Sequence, residues 1–174
     1  MFKTLIRTIP DYPQPGIQFR DITTLLQDKQ GFSAAIEALS QHYAGQDFDK
    51  IVAMEARGFI IGAALAVKLG IGFVPARKPG KLPCSTISQS YALEYGNDAL
   101  EMHEDAIQPG ERILLVDDLI ATGGTALAAV ALIRQLGGIL QQAAFVIDLP
   151  QLGGMQQLVT AGVQGFALCQ FEGQ

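Results

Sequence analysis

The sequence ILLVDDLIATGGT, residues 113–125, joins an apolar run to two adjacent acids and a glycine-rich loop. The run RILLV, residues 112–116, predicts a buried strand, and ALAAVALIRQLGG, residues 126–138, predicts the helix that follows the loop. Open α/β sheets bind ligands at the carboxyl ends of their strands, where Asp117 and Asp118 would lie. This unit therefore predicts a ligand site as well as a fold class.

The loop that follows the acids is suited to a phosphate group. Its glycines let backbone N–H groups approach an anion closely, and the N-terminus of the following helix adds a favourable dipole. Carboxylates would repel a phosphate, so Asp117 and Asp118 should face sugar hydroxyls or a Mg²⁺ ion instead. The combination indicates a ribose 5-phosphate and a metal. The simpler alternative is that Asp117 and Asp118 are turn residues without a ligand and that Gly123–Gly124 only caps the helix.

Two other phosphate-binding motifs do not fit. A Walker A loop requires Lys and then Ser or Thr directly after its last glycine, and no lysine follows Gly124. The dinucleotide-binding pattern G-x-G-x-x-G also fails, because Pro75 stands where the third glycine should follow Gly70 and Gly72. The expected phosphate chemistry therefore rests on the strand, the acids and the TGGT loop.

The rest of the chain repeats the alternation of strand and helix. Further apolar strands are predicted at 50–54, 71–76, 143–147 and 163–171, and helices at 32–44 and 58–70. Strands that are apolar throughout indicate a mostly parallel central sheet flanked by helices, so the predicted fold class is α/β. Neither a repeat nor a linker divides the chain, and we expect one domain over residues 1–174.

Two segments interrupt this alternation. Residues 10–26 hold three prolines and are predicted to form an ordered loop packed on the core. Residues 77–111 form an insertion of about 35 residues, which is longer than ordinary α/β connections and indicates a functional or flexible loop. Within it, the alternating run over 91–95 is compatible with a hairpin formed with residues 99–102.

The composition excludes several classes of protein. Apolar residues make up 49% of the chain and charged residues 17%, so the chain can bury a large core and is not disordered. The net charge of −5 disfavours a nucleic-acid partner. Two cysteines, Cys84 and Cys169, make neither a disulfide framework nor a metal site. Because no signal-like or bilayer-length apolar span is present, we expect a cytoplasmic protein without a membrane partner.

The strand–acid–loop–helix unit resembles the phosphoribosyl pyrophosphate (PRPP) signature of the type I phosphoribosyltransferases. Four more motifs are similar to those of the adenine-specific family: PGIQFRDITTLL (15–26), MEARGF (54–59), RKPGKLP (77–83) and YALEYG (91–96). The resemblance covers residues 9 to 147 and implies the type I phosphoribosyltransferase fold. In that fold a small N-terminal hood would occupy about 10–26 and a long flexible active-site loop about 77–111.

The resemblance also implies an activity. Family members serve purine salvage: adenine and PRPP give AMP and pyrophosphate, with Mg²⁺ as cofactor, and the enzyme is a homodimer. The metal would be held mainly through the substrate, with Asp117 and Asp118 as further ligands. These two carboxylates would also face the ribose hydroxyls and favour the positive charge that develops on the ribose in the transition state.

The matching motifs imply where the two anionic ends of PRPP would bind. The 5-phosphate would be held by Ala121, Thr122, Gly123, Gly124 and Thr125. The pyrophosphate would be surrounded by Arg57, Arg77, Lys78 and Lys81. Five of the twelve basic residues lie between positions 57 and 81, which agrees with an anion at this place. The alternative for Lys78 and Lys81 is that they are solvated loop charges.

By the same resemblance, the adenine site would come from the hood and the long loop. Phe19 would pack on the purine ring, and backbone groups of Gln18 and Arg20 would contact the edge of the base. Glu94 would be the general acid/base for the imidazole proton, and Tyr95 a neighbouring residue of the lid. Alternatively, Phe19 is a core aromatic and Glu94 an exposed carboxylate.

Three further positions bear on the base. The Arg20 side chain could brace the hood through an ion pair with Asp21. Ala121 stands where enzymes for 6-oxopurines carry an acidic residue, which argues against hypoxanthine or guanine as the substrate. Asp148 departs from the family pattern, so contacts to the base from 148–152 stay open.

Two other functions are alternatives to phosphoribosyl transfer to adenine. The first is a phosphoribosyltransferase for another base, such as xanthine or a pyrimidine. The second is a PRPP-sensing regulator that binds its ligand without catalysis and controls nucleic acid. Such a regulator usually needs a DNA-binding module or a basic face, and a short acidic chain offers little room for either.

Overall fold

The computed structural model describes residues 2–93 and 96–173. The helices are α1 (Phe2–Leu5), α2 (Thr23–Gln27), α3 (Lys29–His42), α4 (Arg57–Leu69), α5 (Gly124–Gln135) and α6 (Gly154–Thr160). The strands are β1 (Arg7–Pro10), β2 (Gln18–Asp21), β3 (Lys50–Met54), β4 (Gly72–Ala76), β5 (Thr86–Ala92), β6 (Asn97–His103), β7 (Arg112–Ile120), β8 (Ile139–Asp148) and β9 (Gln164–Gln170). A short 3₁₀ helix at Pro150–Leu152 precedes α6.

The centre of the fold is a five-stranded parallel sheet in the order β4-β3-β7-β8-β9. Its strands are buried on both faces, so apolar residues occupy successive positions. In β3, Ile51 and Ala53 belong to a core shared with α3 and α4, whereas Val52 and Met54 belong to a second core shared with α5. The prediction of an α/β fold with a mostly parallel sheet is confirmed.

Two antiparallel pairs lie outside this sheet, β1 with β2 and β5 with β6. The long insertion contains a hairpin, as predicted, but the predicted pairing is wrong. Residues 99–102 pair with 87–90, and Tyr91 pairs with Asp98. The prediction of a loop over residues 10–26 is wrong, because β2 and most of α2 lie within it. The prolines sit before Gln18, and β1 supplies the hydrogen bonds that make the following residues a strand.

Strand β7 is longer than the sequence predicts. It continues past Val116 to Ile120, because β8 pairs with it as far as Asp148. The two acids therefore lie within the strand and not in the loop after it. Within the described ranges, no helix is long and apolar enough to cross a membrane.

Candidate active site

The 121–125 loop joins β7 to α5 and is held in place from α6. Gly123 has φ of +91°, and a Cβ atom there would meet Gly154 Cα at 3.1 Å. Gly154 in turn donates its N–H to the Ala121 carbonyl at 2.9 Å. The loop borders a pocket of about 140 Å³. Only glycine suits position 123, because the backbone there is left-handed and approaches Gly154 closely.

The acids at the end of β7 lie beside the start of α4. Asp118 is 5% exposed, and its Oδ2 lies 2.8 Å from Arg57 Nε. Asp117 Oδ1 accepts the N–H of Asp118 at 2.8 Å. Desolvation and the neighbouring Asp118 carboxylate raise the pKa of Asp117 well above its ordinary value. A Cβ at Gly58 would come within 2.6 Å of Asp117 Oδ1, so this glycine, which the sequence analysis missed, makes room for the acid.

The basic segment, residues 77–81, is anchored by a carboxylate from the end of β3. Glu55 Oε1 accepts the backbone N–H of Lys78 at 2.6 Å and the Nε–H of Arg77 at 3.3 Å. Glu55 was not predicted from the sequence, although it stands two residues before Arg57 in the MEARGF motif. Arg57, Arg77 and Lys78 thus meet near one end of the sheet, as predicted. Lys81 is exposed on the same segment.

A second pocket, of about 260 Å³, lies between the acids and the basic segment. Its lining residues are Glu55, Ala56, Arg57, Lys78, Tyr91, Leu100, Asp117, Asp118, Leu119 and Thr125. Lys78 borders this pocket, and its side chain is partly exposed. Among the described residues that line this pocket, Arg77 and Lys81 are absent.

A third pocket, of about 620 Å³, opens between the hood and the ends of β7 and β8. Phe19 lines it and is half-buried, and its ring lies 5.0 Å from the Arg57 guanidinium carbon. It is therefore not a core aromatic. Leu149 and Leu152 add further apolar lining. Gln18 and Arg20, predicted to contact the edge of the base, also border this pocket.

The proposed ion pair between Arg20 and Asp21 is wrong. Asp21 pairs with Arg7, its partner in the β1–β2 register, because directly opposed residues share a face and consecutive ones do not. The Arg20 guanidinium instead donates to the Thr8 hydroxyl and to the Glu172 carbonyl. Arg20 therefore ties the hood to the C-terminal segment.

The three pockets form one connected site. Leu119 borders all of them, Asp117 borders the first two, and Arg57 borders the second and third. Ala121 and Thr122 link the first pocket to the third. A ligand with a central group near Leu119 could therefore reach into three compartments of different chemistry.

Two of the predicted site residues, Glu94 and Tyr95, lie outside the residues that the structure describes. Among residues 2–93 and 96–173, no group of three or more His, Cys, Asp or Glu side chains is arranged to hold a metal ion. Asp118 Oδ2 is buried and accepts no well-aligned hydrogen bond from the described residues, despite its proximity to Arg57.

Comparisons with known proteins identify the family of this chain. Residues 21–152 match the model of the phosphoribosyl transferase domain. The chain belongs to the phosphoribosyltransferase family and, within it, to the adenine phosphoribosyltransferases.

The relatives that support this membership match over nearly their whole length. The chain is 60% identical to adenine phosphoribosyltransferase of Methylobacillus flagellatus over 98% of this chain and 97% of the relative. Its structure is similar to that of the Thermoanaerobacter pseudethanolicus enzyme, with a TM-score of 0.94, 49% identity and 98% coverage of both chains. The Saccharomyces cerevisiae enzyme, solved with an imino-altritol bisphosphate and adenine, has a TM-score of 0.91 and 38% identity, with 97% and 96% coverage.

Proposed function

We propose that this chain transfers the phosphoribosyl group of PRPP to adenine, giving AMP and pyrophosphate in purine salvage. The observation that supports it best is the meeting of three pockets at Leu119. One is bordered by the 121–125 loop at a helix N-terminus, one by the cations Arg57 and Lys78 together with three acids, and one by apolar side chains around Phe19. PRPP and adenine together present a phosphate, a pyrophosphate and a flat base to a central ribose.

The 121–125 loop is assigned to the 5-phosphate of PRPP. Ala121, Thr122, Gly123, Gly124 and Thr125 would surround this phosphate with N–H and hydroxyl donors. The ribose hydroxyls are assigned to Asp117 and Asp118, because carboxylates accept hydrogen bonds from hydroxyls. Asp117 borders both the pocket at the loop and the second pocket, so a ribose beside it would lie between the two phosphate groups of PRPP.

The pyrophosphate is assigned to the second pocket. Arg57 and Lys78 border it, and Arg77 and Lys81 stand on the adjoining segment. Mg²⁺ usually binds through substrate phosphates and one or two carboxylates, and the buried Asp118 Oδ2 without an aligned donor fits such a ligand. When bound, the ion would neutralise charge on the pyrophosphate.

Catalysis in this proposal is mainly electrostatic and positional. The bond between the ribose C1 and the pyrophosphate oxygen breaks, the electron pair leaves with pyrophosphate, and C1 bonds to N9 of adenine. Asp117 and Asp118 favour the positive charge on the ribose, and the cations favour the negative charge on pyrophosphate. Glu94 is proposed to take the N9 proton, and Tyr95 to belong to the lid that excludes water.

Adenine is assigned to the third pocket. Phe19, Leu149 and Leu152 give this pocket apolar surface on which a flat ring could pack. Phe19 would pack on the purine, and backbone groups of Gln18 and Arg20, which also border the pocket, would contact the edge of the base. Ala121 borders the same pocket without a carboxylate, which supports a 6-aminopurine over a 6-oxopurine. The yeast relative was solved with a bisphosphate and adenine together, which supports adenine as the base.

We also propose a homodimer built from single phosphoribosyltransferase domains, as the family resemblance implies. The cytoplasmic location stays a prediction from the sequence.

The deciding experiment is to incubate the purified protein with PRPP and Mg²⁺ and with adenine, guanine, hypoxanthine or xanthine in parallel. Formation of AMP and pyrophosphate from adenine, far faster than nucleotide formation from the other bases, is expected. Preferential turnover of another base would overturn the substrate assignment. Binding of PRPP without turnover of any base would favour the regulator.

A further inference from the structure

The β5–β6 hairpin provides a counter-ion for one of the cations assigned to pyrophosphate. Lys78 Nζ donates to Asp98 Oδ2 and, at 2.9 Å, to the Tyr91 hydroxyl. Asp98 and Tyr91 face each other across the hairpin. The Lys78 and Asp98 side chains are 40% and 27% exposed, so an incoming anion can reach the ammonium group.

This contact differs from those of the neighbouring cations. Arg57 and Arg77 pair with carboxylates at the ends of the central strands, Asp118 and Glu55. Lys78 alone among these three takes a charged partner from the hairpin within the described part of the chain.

The basic segment does not depend on this ion pair for its position. Arg77 exchanges two backbone hydrogen bonds with Glu101, at 2.9 and 2.7 Å, and the Glu101 side chain accepts the Gly80 N–H at 3.1 Å. Glu55 holds the backbone N–H of Lys78 from the other side. The Lys78 ammonium can therefore change its partner while the backbone of the segment stays in place.

We propose that Asp98 is a positioning residue that competes with pyrophosphate for the Lys78 ammonium group. Its carboxylate holds Lys78 while the site is empty and repels an anion bound to the same ammonium. Asp98 thereby weakens binding of pyrophosphate and promotes its release after transfer. This inference rests on the proposed function, which assigns pyrophosphate to the second pocket.

The test is to measure Mg²⁺-pyrophosphate binding by titration calorimetry for the wild-type protein and for Asp98→Asn. Removal of the partly exposed negative charge of Asp98 should lower the Kd for Mg²⁺-pyrophosphate about threefold to fivefold. The KM for PRPP should fall by a similar factor, and inhibition by added pyrophosphate should strengthen. Asp98→Glu, which keeps the carboxylate, should resemble the wild type, and a merely structural role would not produce this pattern.

Two comparisons separate competition from a general charge effect. Asp105→Asn removes an equal charge from an exposed position after β6 and should leave Kd unchanged. In a Lys78→Gln background, Asp98→Asn should have no further effect on Kd. If Asp98→Asn does not fold, as judged by its melting curve, Asp98→Ser serves in its place.

An unchanged Kd in the Asp98 variant, an equal change in Asp105→Asn, or an equal change in the Lys78→Gln background would overturn the proposal. Failure of the proposed function has a different signature, since the wild-type protein itself would then not convert adenine and PRPP. If the wild type converts them but does not bind pyrophosphate measurably, the role of Asp98 is refuted and the activity stands.

Discussion

The 121–125 loop and the basic segment border one connected site but are built in opposite ways. The loop comes from a single contiguous stretch, and it offers backbone N–H groups next to the buried Gly123. The basic segment offers charged side chains. A carboxylate just after β3, Glu55, and one in β6, Asp98, hold Arg77 and Lys78. A backbone anion site needs no counter-ions, whereas a site made of cations needs acids to orient them.

The largest effect is expected where the two regions meet, at Asp118. Asp118→Asn should lower kcat/KM by about 10²–10³, because one carboxylate facing the transition-state charge is lost and Arg57 loses its ion pair. Steady-state kinetics with adenine and PRPP measure this change. Asp47→Asn, on an exposed side chain, is the control. An unchanged kcat/KM would remove the assignment of Asp118 to the ribose.

A comparable loss is expected at Glu94, which lies outside the described residues. Glu94→Gln should lower kcat by about 10² while the affinity for PRPP is nearly retained, because general acid/base catalysis typically contributes this much. The pH profile of kcat and direct PRPP binding separate the two effects. A wild-type kcat would exclude Glu94 as the proton acceptor.

The loop is tested by Gly123→Ala. A side chain at φ of +91° that meets Gly154 Cα at 3.1 Å should distort the loop, and the KM for PRPP should rise about tenfold. Gly110→Ala is the matched control, since Gly110 has φ of +88° but no atom within 4 Å of the added Cβ. If both variants alter KM equally, close packing of the loop is not what matters.

A smaller effect is expected in the basic segment. Glu55→Gln weakens the anchors of Arg77 and Lys78, and the KM for PRPP should rise about threefold to fivefold with little change in kcat. Glu37→Gln breaks a similar but exposed pair with Lys68 and should leave both constants unchanged. A larger change for Glu55→Gln than for Gly123→Ala would reverse the ranking of the two regions.

The smallest functional effect is expected in the hood, where Asp21 acts on stability. Hydrogen bonds from Thr23 and Arg7 lower the pKa of Asp21 to about 2, from 3.8. The ionised Asp21 carboxylate therefore makes its full contribution to the free energy of unfolding above about pH 4, and this contribution is lost as the pH falls towards 2. Asp21→Asn should lower the free energy of unfolding at pH 7 by about 1–2 kcal/mol, and by less at pH 3. Urea unfolding at both pH values tests this, and a difference that grows at pH 3 would contradict it.

Local patterns predicted the regular elements better than their ends. The apolar run 112–116 identified β7 but not its continuation through Asp118, because that continuation depends on pairing with β8. The prolines in 10–26 indicated a loop, and pairing with β1 made part of it a strand. Neither partner strand can be identified from the periodicity of the segment itself.

The same limit applies to the site. The sequence indicated Asp117, Asp118 and the basic residues, because residue type and order along one stretch imply their chemistry. It did not indicate Glu55 or Asp98 as partners of the cations. The Glu55–Arg77 and Asp98–Lys78 pairs each span at least 20 positions along the chain, and nothing local marks them.

The sequence by itself determined the α/β class, the glycine loop at a helix start and the residues able to bind an anion. These features follow from backbone geometry and residue type over a few consecutive positions. Only the tertiary structure decided that Asp21 pairs with Arg7, that Lys78 pairs with Asp98, and that three pockets meet at Leu119. Ion pairs and pockets depend on distances in space, and those distances arise only when separate strands come together.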